Sequence, residues 1–331
     1  MFAARLLVFG AVLSAASELH NAAKYNDLDS IRALVAKGAD VAAHDEEHVT
    51  PLHWAARTGH AEAISALVSA GAPLEAQAGG QMTSLHVAAA GGHAKAIHAL
   101  VRAGASLSAR ADQQMTSLHW AAGSGHTDAI TALAALGTQE MFEARNSWGA
   151  TALHLAAFKG HTDALSVLVN VGAPLEYRDN QMRTALHWAA YKGHTGAVQA
   201  LLAAGASTEF KADGQLTALM MAVSAGHTQV VQSLIAAAAS LEALADSSMT
   251  ALHIAAGSGH ADTIPLLVAA GASLGARNKQ QSTPLHWAAR YGHVQAINAL
   301  LAEGASLEVQ DIARRTPLHI AAGNRHMEAM K

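Results

Sequence analysis

The tetrapeptide Thr-x-Leu-His returns along this chain at a near-constant stride, and no other feature limits the fold so strongly. Its threonines are Thr50, Thr83, Thr116, Thr151, Thr184, Thr217, Thr250, Thr283 and Thr316; seven of the eight intervals are 33 residues and the other is 35. Methionine replaces the histidine once, at Met220. A period of this length marks a stack of supersecondary units in which each contacts its neighbours and all share one continuous core. Leu19 and His20 keep the same register, so a unit precedes Thr50. About ten units are expected over 17–331, the last incomplete because only five residues follow His326.

Within a repeat, the residue types spell two short helices. In the stretch beginning TPLHWAARYGH, Thr283 is placed to cap a helix and Pro284 suits its first position. Gly292 ends that helix and His293 opens a second. Ile297, Leu300 and Leu301 form the second helix's apolar stripe, and Gly304 closes it. An extended link leads to the next threonine. Apolar residues make up 51% of the chain but aromatics only 4%, so the core must be built from Ala, Leu, Val and Ile. Alanine favours such closely packed helices.

These residues resemble the ankyrin-repeat family. Its Thr-Pro-Leu-His-x-Ala-Ala pattern, followed by Gly-His and then Gly-Ala, stands here as Thr50-Pro51-Leu52-His53-Trp54-Ala55-Ala56, Gly59-His60 and Gly71-Ala72. The likeness covers about 95% of the chain, from Ser17 to Lys331. It implies an all-α solenoid of paired antiparallel helices with projecting hairpin-like fingers and a concave face that binds other proteins.

The repeats also depart from that pattern. Two residues before the threonine the family's glycine survives only as Gly149, so looser fingers are expected where His48, Gln81, Gln114, Met182, Gln215, Ser248, Gln281 and Arg314 stand. Ala238 replaces a helix-closing glycine, and Pro265 falls inside a second helix, where it removes a hydrogen bond.

Register also explains most of the residues that look catalytic. Of 21 histidines, 18 lie at the two repeated positions, leaving His44, His48 and His98. A group present in every unit serves the unit, here by hydrogen-bonding backbone within and between repeats. Trp54, Trp120, Trp188 and Trp287 follow the motif histidine and read as core fillers. No glycine-rich phosphate loop follows a strand, and no nucleophile has an assigned base, so an enzyme is not expected. No cofactor and no metal site are expected either. The chain has no cysteine, a net charge of −4 and no basic stripe, which argues against nucleic acid as partner.

A protein partner remains, and the residues that differ between repeats locate its surface. In the family, the finger and the two residues before Gly-His form the recognition face. Phe158-Lys159 and Tyr191-Lys192 pair an aromatic with a cation there, while Trp148 and Arg183 lie on the fingers, the side-chain types that dominate interface hot spots. Met82 and Met115, just before their threonines, offer adaptable apolar contacts or pack finger on finger. The two extra residues fall between Gly137 and Phe142, close to Trp148. A monomeric, non-enzymatic binding module is the main expectation. The alternatives are an interaction arm of a larger protein, and an exported array that binds an extracellular or host target. The latter rests on residues 1–16, whose single Arg5, apolar run and small residues resemble a signal peptide; the other reading of this stretch is an N-terminal helix lying over the first repeat. Without such a leader the chain reads as cytoplasmic. No segment is long enough to span a bilayer.

Overall fold

The computed structural model describes residues 17–331, so the leader expected over 1–16 lies outside the described residues. Their regular structure is helical, with one isolated bridge between Ala78 and Met82 in place of any strand. Contacts group the chain into two compact units, Met1–Pro174 and Leu175–Lys331. In the first unit, the first helices Pro51–Thr58, Ser84–Ala90, Ser117–Ser124 and Ala152–Lys159 pack in succession, and the second helices follow in a parallel row. The second unit repeats this with Ala185–Lys192, Ala218–Ala225, Ala251–Ser258, Pro284–Tyr291 and Pro317–Gly323.

The sequence signals act as their chemistry requires. Thr50 is extended (φ −89°, ψ 164°) and its hydroxyl accepts the His53 N–H, while Pro51 begins the helix. The second helix Ala61–Ser69 buries Ala63, Ile64 and Leu67. Full burial of such a leucine or isoleucine stabilises by roughly 1.5–3 kcal/mol. In register with it, Ala96, Ile97 and Leu100 do the same one repeat later.

The motif histidine joins each repeat to the next. Thr83 N–H and the Thr83 hydroxyl both donate to His86 Nδ1, at 3.2 and 2.9 Å. Nδ1 is therefore an acceptor and the proton sits on Nε2, which donates to Met115 O of the following repeat at 3.1 Å. His53 reaches Met82 O at 3.0 Å, His119 reaches Ala150 O at 3.0 Å, and His20 reaches Val49 O at 2.9 Å. In the second unit His187, His253 and His286 reach Leu216 O, Ser282 O and Arg315 O. Met220, fully buried, fills the position without such a bond, while Thr217 still caps its backbone.

The Gly-His histidine works in the opposite direction. Nε2 of His93 donates to Arg57 O of the preceding repeat at 2.9 Å, and His161 does so to Gly123 O at 3.1 Å. His227, His260, His293 and His326 repeat the contact in the second unit, each at 3.0 Å. This explains the glycine before it. Gly59 closes its helix at φ +80°, and a β-carbon there would stand 2.7 Å from His93 Nδ1, so both torsion and close approach demand glycine.

The fingers close without the family's glycine. Each of the nine described fingers closes with a backbone bond of 2.8–3.1 Å, from Asp45 N–H to Val49 O through Asp311 N–H to Arg315 O. The non-glycine tips accept the left-handed conformation instead, with φ between +57° and +60° from His48 to Arg314. Ala238 likewise sits at φ +58°. The helix expected around Pro265 divides into a 3₁₀ turn, Ala261–Thr263, and an α-helix, Ile264–Ala269, which places the proline in a first turn where its missing N–H does no harm.

Two outcomes follow from this geometry. Equivalent glycines such as Gly205 and Gly271 have nothing within 4 Å of a would-be β-carbon, so the penalty at Ala238 is torsional alone. Ala238→Gly should stabilise by about 1 kcal/mol in chemical denaturation. A loss of stability would contradict the left-handed assignment. The second concerns pH. Burial pushes His53, His86, His253 and His286 below the usual 6.5, and His119 down to about 4. Their contribution is complete above pH 6.5. It is lost progressively below, because the unfolded chain takes up protons that the folded one refuses. At pH 5.5 His119, held at about 4, withdraws about 1 kcal/mol relative to pH 7.5, and the other four act in the same direction. The thermal midpoint should fall by several degrees between those two values; an unchanged midpoint would contradict the account.

Candidate protein-interaction surface

The fingers fall into two chemical kinds, set by the residue five places before the threonine. Where it is Asp45, Asn146, Asp179, Asn278 or Asp311, its side-chain oxygen accepts two tip N–H groups at 2.9–3.0 Å. Burial pushes Asp179 upward, but bonds from Arg183, Trp188 and backbone N–H groups outweigh it and hold the carboxyl below its usual range. Asp45 and Asp311 are held low by the same balance. Where the residue is Ala78, Ala111, Ala212 or Ala245, no such acceptor exists, and two consecutive residues turn left-handed instead. These are the fingers with Met82, Met115, Leu216 or Met249 before the threonine. All four side chains are half-buried rather than exposed, and Asn146 Nδ2 lies 3.5 Å from Met115 Sδ on the neighbouring finger. Met82 and Met115 thus sit at the closure of their own fingers, and finger-on-finger packing describes Met115 better than an open contact surface.

The tryptophans brace this arrangement. Indole Nε1 donates to a finger carboxylate nine residues earlier, Trp54 to Asp45 and Trp188 to Asp179, both at 2.8 Å. The core-filler expectation holds for Trp188 only, since Trp54, Trp120 and Trp287 are half-buried at the feet of their fingers. Two buried polar atoms without partners fit the same rule. Trp120 belongs to a repeat whose brace position is Ala111, which leaves its Nε1 without an acceptor, and Asn278 presents an amide nitrogen where Asp45, Asp179 and Asp311 present a second carboxylate oxygen.

Adjacent fingertips are also linked through backbone. Ser147 N–H donates to Gln113 O at 2.9 Å in the first unit. In the second, Asp213, Lys279 and Ile312 donate to Gln181 O, Ser247 O and Gln280 O.

On this frame the expected anchors take different roles. Trp148 is 49% exposed at a fingertip whose backbone is fixed by Asn146 Oδ1 and by the Ser147–Gln113 bonds. Tyr191 is 52% exposed, with Lys192 Nζ 5.3 Å from its ring centroid, and its carbonyl is held by His227. Phe158 is half-buried with Lys159 Nζ at 5.9 Å. Arg183 is drawn into the brace: it bonds Asp179 at 2.7 and 2.8 Å and lies over Trp188. Trp148, Phe158 and Lys159 belong to the first unit; Arg183, Tyr191 and Lys192 belong to the second.

The sequence reading passed over Tyr291, which is 49% exposed beside Trp287 at 5.9 Å. Its signal was its register with Lys159 and Lys192 before Gly-His. The two-residue insertion forms a short helix, Glu140–Glu143, with Phe142 buried beneath it.

Among the described residues no three His, Asp or Glu side chains converge as metal ligands, and no helix is long and apolar enough to cross a membrane. The chain matches no curated protein. A family model described as "Ankyrin repeats (3 copies)" matches in overlapping segments at 19–111, 75–143, 118–212, 209–278 and 270–331. Such repeats are generally protein–protein interaction modules and typically not enzymes. With repeat, caps and family model in agreement over almost its whole length, the chain belongs to the ankyrin-repeat family.

Proposed function

We propose that this protein is a non-enzymatic binding module that takes a partner protein on its fingers and on the exposed ends of its first helices. The observation that carries this reading is the presence of large aromatic side chains, half-exposed, on backbone that is itself hydrogen-bonded in place. Trp148 supplies such a group in the first unit and Tyr191 in the second. Rigid aromatic side chains bury much area with little entropy lost, which is why they dominate hot spots. Lys159 and Lys192 lie against neighbouring rings and suit an acidic or carbonyl-rich partner surface. Phe158, Met82 and Met115 contribute shape from half-buried positions, and Arg183 shapes its finger from within. The array acts as a monomer without cofactor or nucleic acid.

Affinity purification with wild type and with Trp148→Ala/Tyr191→Ala tests the reading. Proteins retained by wild type should be lost from the variant, each anchor being worth about 2 kcal/mol, while the variant's thermal midpoint stays unchanged. An identical set of retained proteins would show that these side chains are not the anchors.

A further inference from the structure

The single interruption of the 33-residue period among the described repeats builds a second surface, whose lining includes none of the proposed anchors. Gly137 leaves the left-handed conformation of its counterparts for an extended one (φ −98°, ψ −175°), and the helix before it, Thr127–Leu136, runs one residue longer than its neighbours. Between this inserted segment and the link carrying the preceding finger lies a cavity of about 670 Å³. Its volume falls in the range, roughly 300–1,000 Å³, of sites that hold ligands. Leu107, Leu136 and Met141 give it apolar, half-buried walls.

Its lining holds two guanidiniums and two carboxylates, so its formal charge is balanced, and what separates them is which have hydrogen-bonding capacity still unused. Arg110 lines the cavity, but its guanidinium donates to Gln114 O and Arg145 O, each at 2.8 Å. Arg145 donates through Nε to Gly149 O at 3.0 Å. Glu140 and Glu143 also line it, are exposed, and make no hydrogen bond or ion pair with any described residue.

For Glu143 the reason is visible in the repeat. In its register Glu75, Glu176, Glu209 and Glu242 each accept the backbone N–H of the residue 31 places on: Ser106, Ser207, Ser240 and Ser273, at 2.8–3.0 Å. The corresponding residue for Glu143 is Pro174, which has no N–H to give. One member of a recurring Glu–backbone ladder is thus released, beside a cavity with apolar walls at the place where the period breaks.

We infer that this cavity is a second docking site, and that it takes a partner segment bearing an aliphatic side chain next to a lysine or arginine. The aliphatic group enters between Leu107, Leu136 and Met141, whose methionine adapts to its shape. The cation meets Glu140 and Glu143. The site goes beyond the proposed fingertip surface and uses none of its side chains.

The test uses the full chain and two fluorescent probe peptides, one alternating leucine with lysine and one alternating leucine with glutamate, read by anisotropy. The leucine–lysine peptide should bind, and Glu140→Gln/Glu143→Gln should weaken it about fivefold, as expected for two solvent-exposed ion pairs. The control Glu62→Gln/Glu303→Gln removes the same charge from exposed positions elsewhere and should leave binding within about twofold. Pro174→Ala restores the missing N–H, so it should weaken the peptide where Glu143 is present and have no effect in Glu143→Gln. The inference is overturned by any of four results: no binding of the leucine–lysine peptide, an equal loss in the control, tighter binding of the leucine–glutamate peptide, or the same effect of Pro174→Ala in both backgrounds.

Discussion

The interaction on which the rest depends is an imidazole N–H donated across a repeat boundary to a backbone carbonyl. Each unit alone is a pair of helices too short to stand in water, and stacking is what makes them stable. Apolar packing supplies most of that stabilisation, but it is not directional. The histidines supply direction. The motif histidine fixes the carbonyl that closes the next finger, as His53 does for Met82 and His119 for Ala150. The Gly-His histidine fixes the carbonyl of a surface residue one repeat back, as His227 does for Tyr191. Both therefore hold in place the backbone from which the proposed anchors project.

Such a clamp works only with a neutral ring. Threonine N–H and hydroxyl groups point at Nδ1, so a proton there would meet two donors, and burial adds a further penalty. Protonation of the motif histidines would thus release the fingers together with the stack. The carboxylate braces fail only at lower pH, because their bonds to tip N–H groups, arginine and indole keep them ionised.

Most of this architecture is legible in sequence because its signals are local: threonine, proline and glycine at the helix ends, and Ile, Leu and Val at helical spacing between them. What the sequence hides is which side chains meet, within a repeat and across its boundary. That Gly59 must be glycine for His93 of the next repeat, that Trp188 is tied to Asp179, and that Arg183 serves this brace all depend on three-dimensional neighbours. That fingers close without glycine was hidden for a similar reason. A backbone bond closes every one of them, and in five a side-chain oxygen also accepts tip N–H groups. Trp148 and Tyr191 stood out as candidates because repetition makes exceptions visible. Their exposure needed the fold, as did the half-burial of Phe158 and Met115.

The central claim is tested most directly by nitrogen NMR of the protein labelled in histidine. The account predicts the neutral Nε2–H tautomer, with Nδ1 unprotonated, for His53, His86, His119, His253 and His286, titrating below pH 6.5 and lowest for His119. An Nδ1–H tautomer at these positions, or titration at the value of a free imidazole, would contradict it.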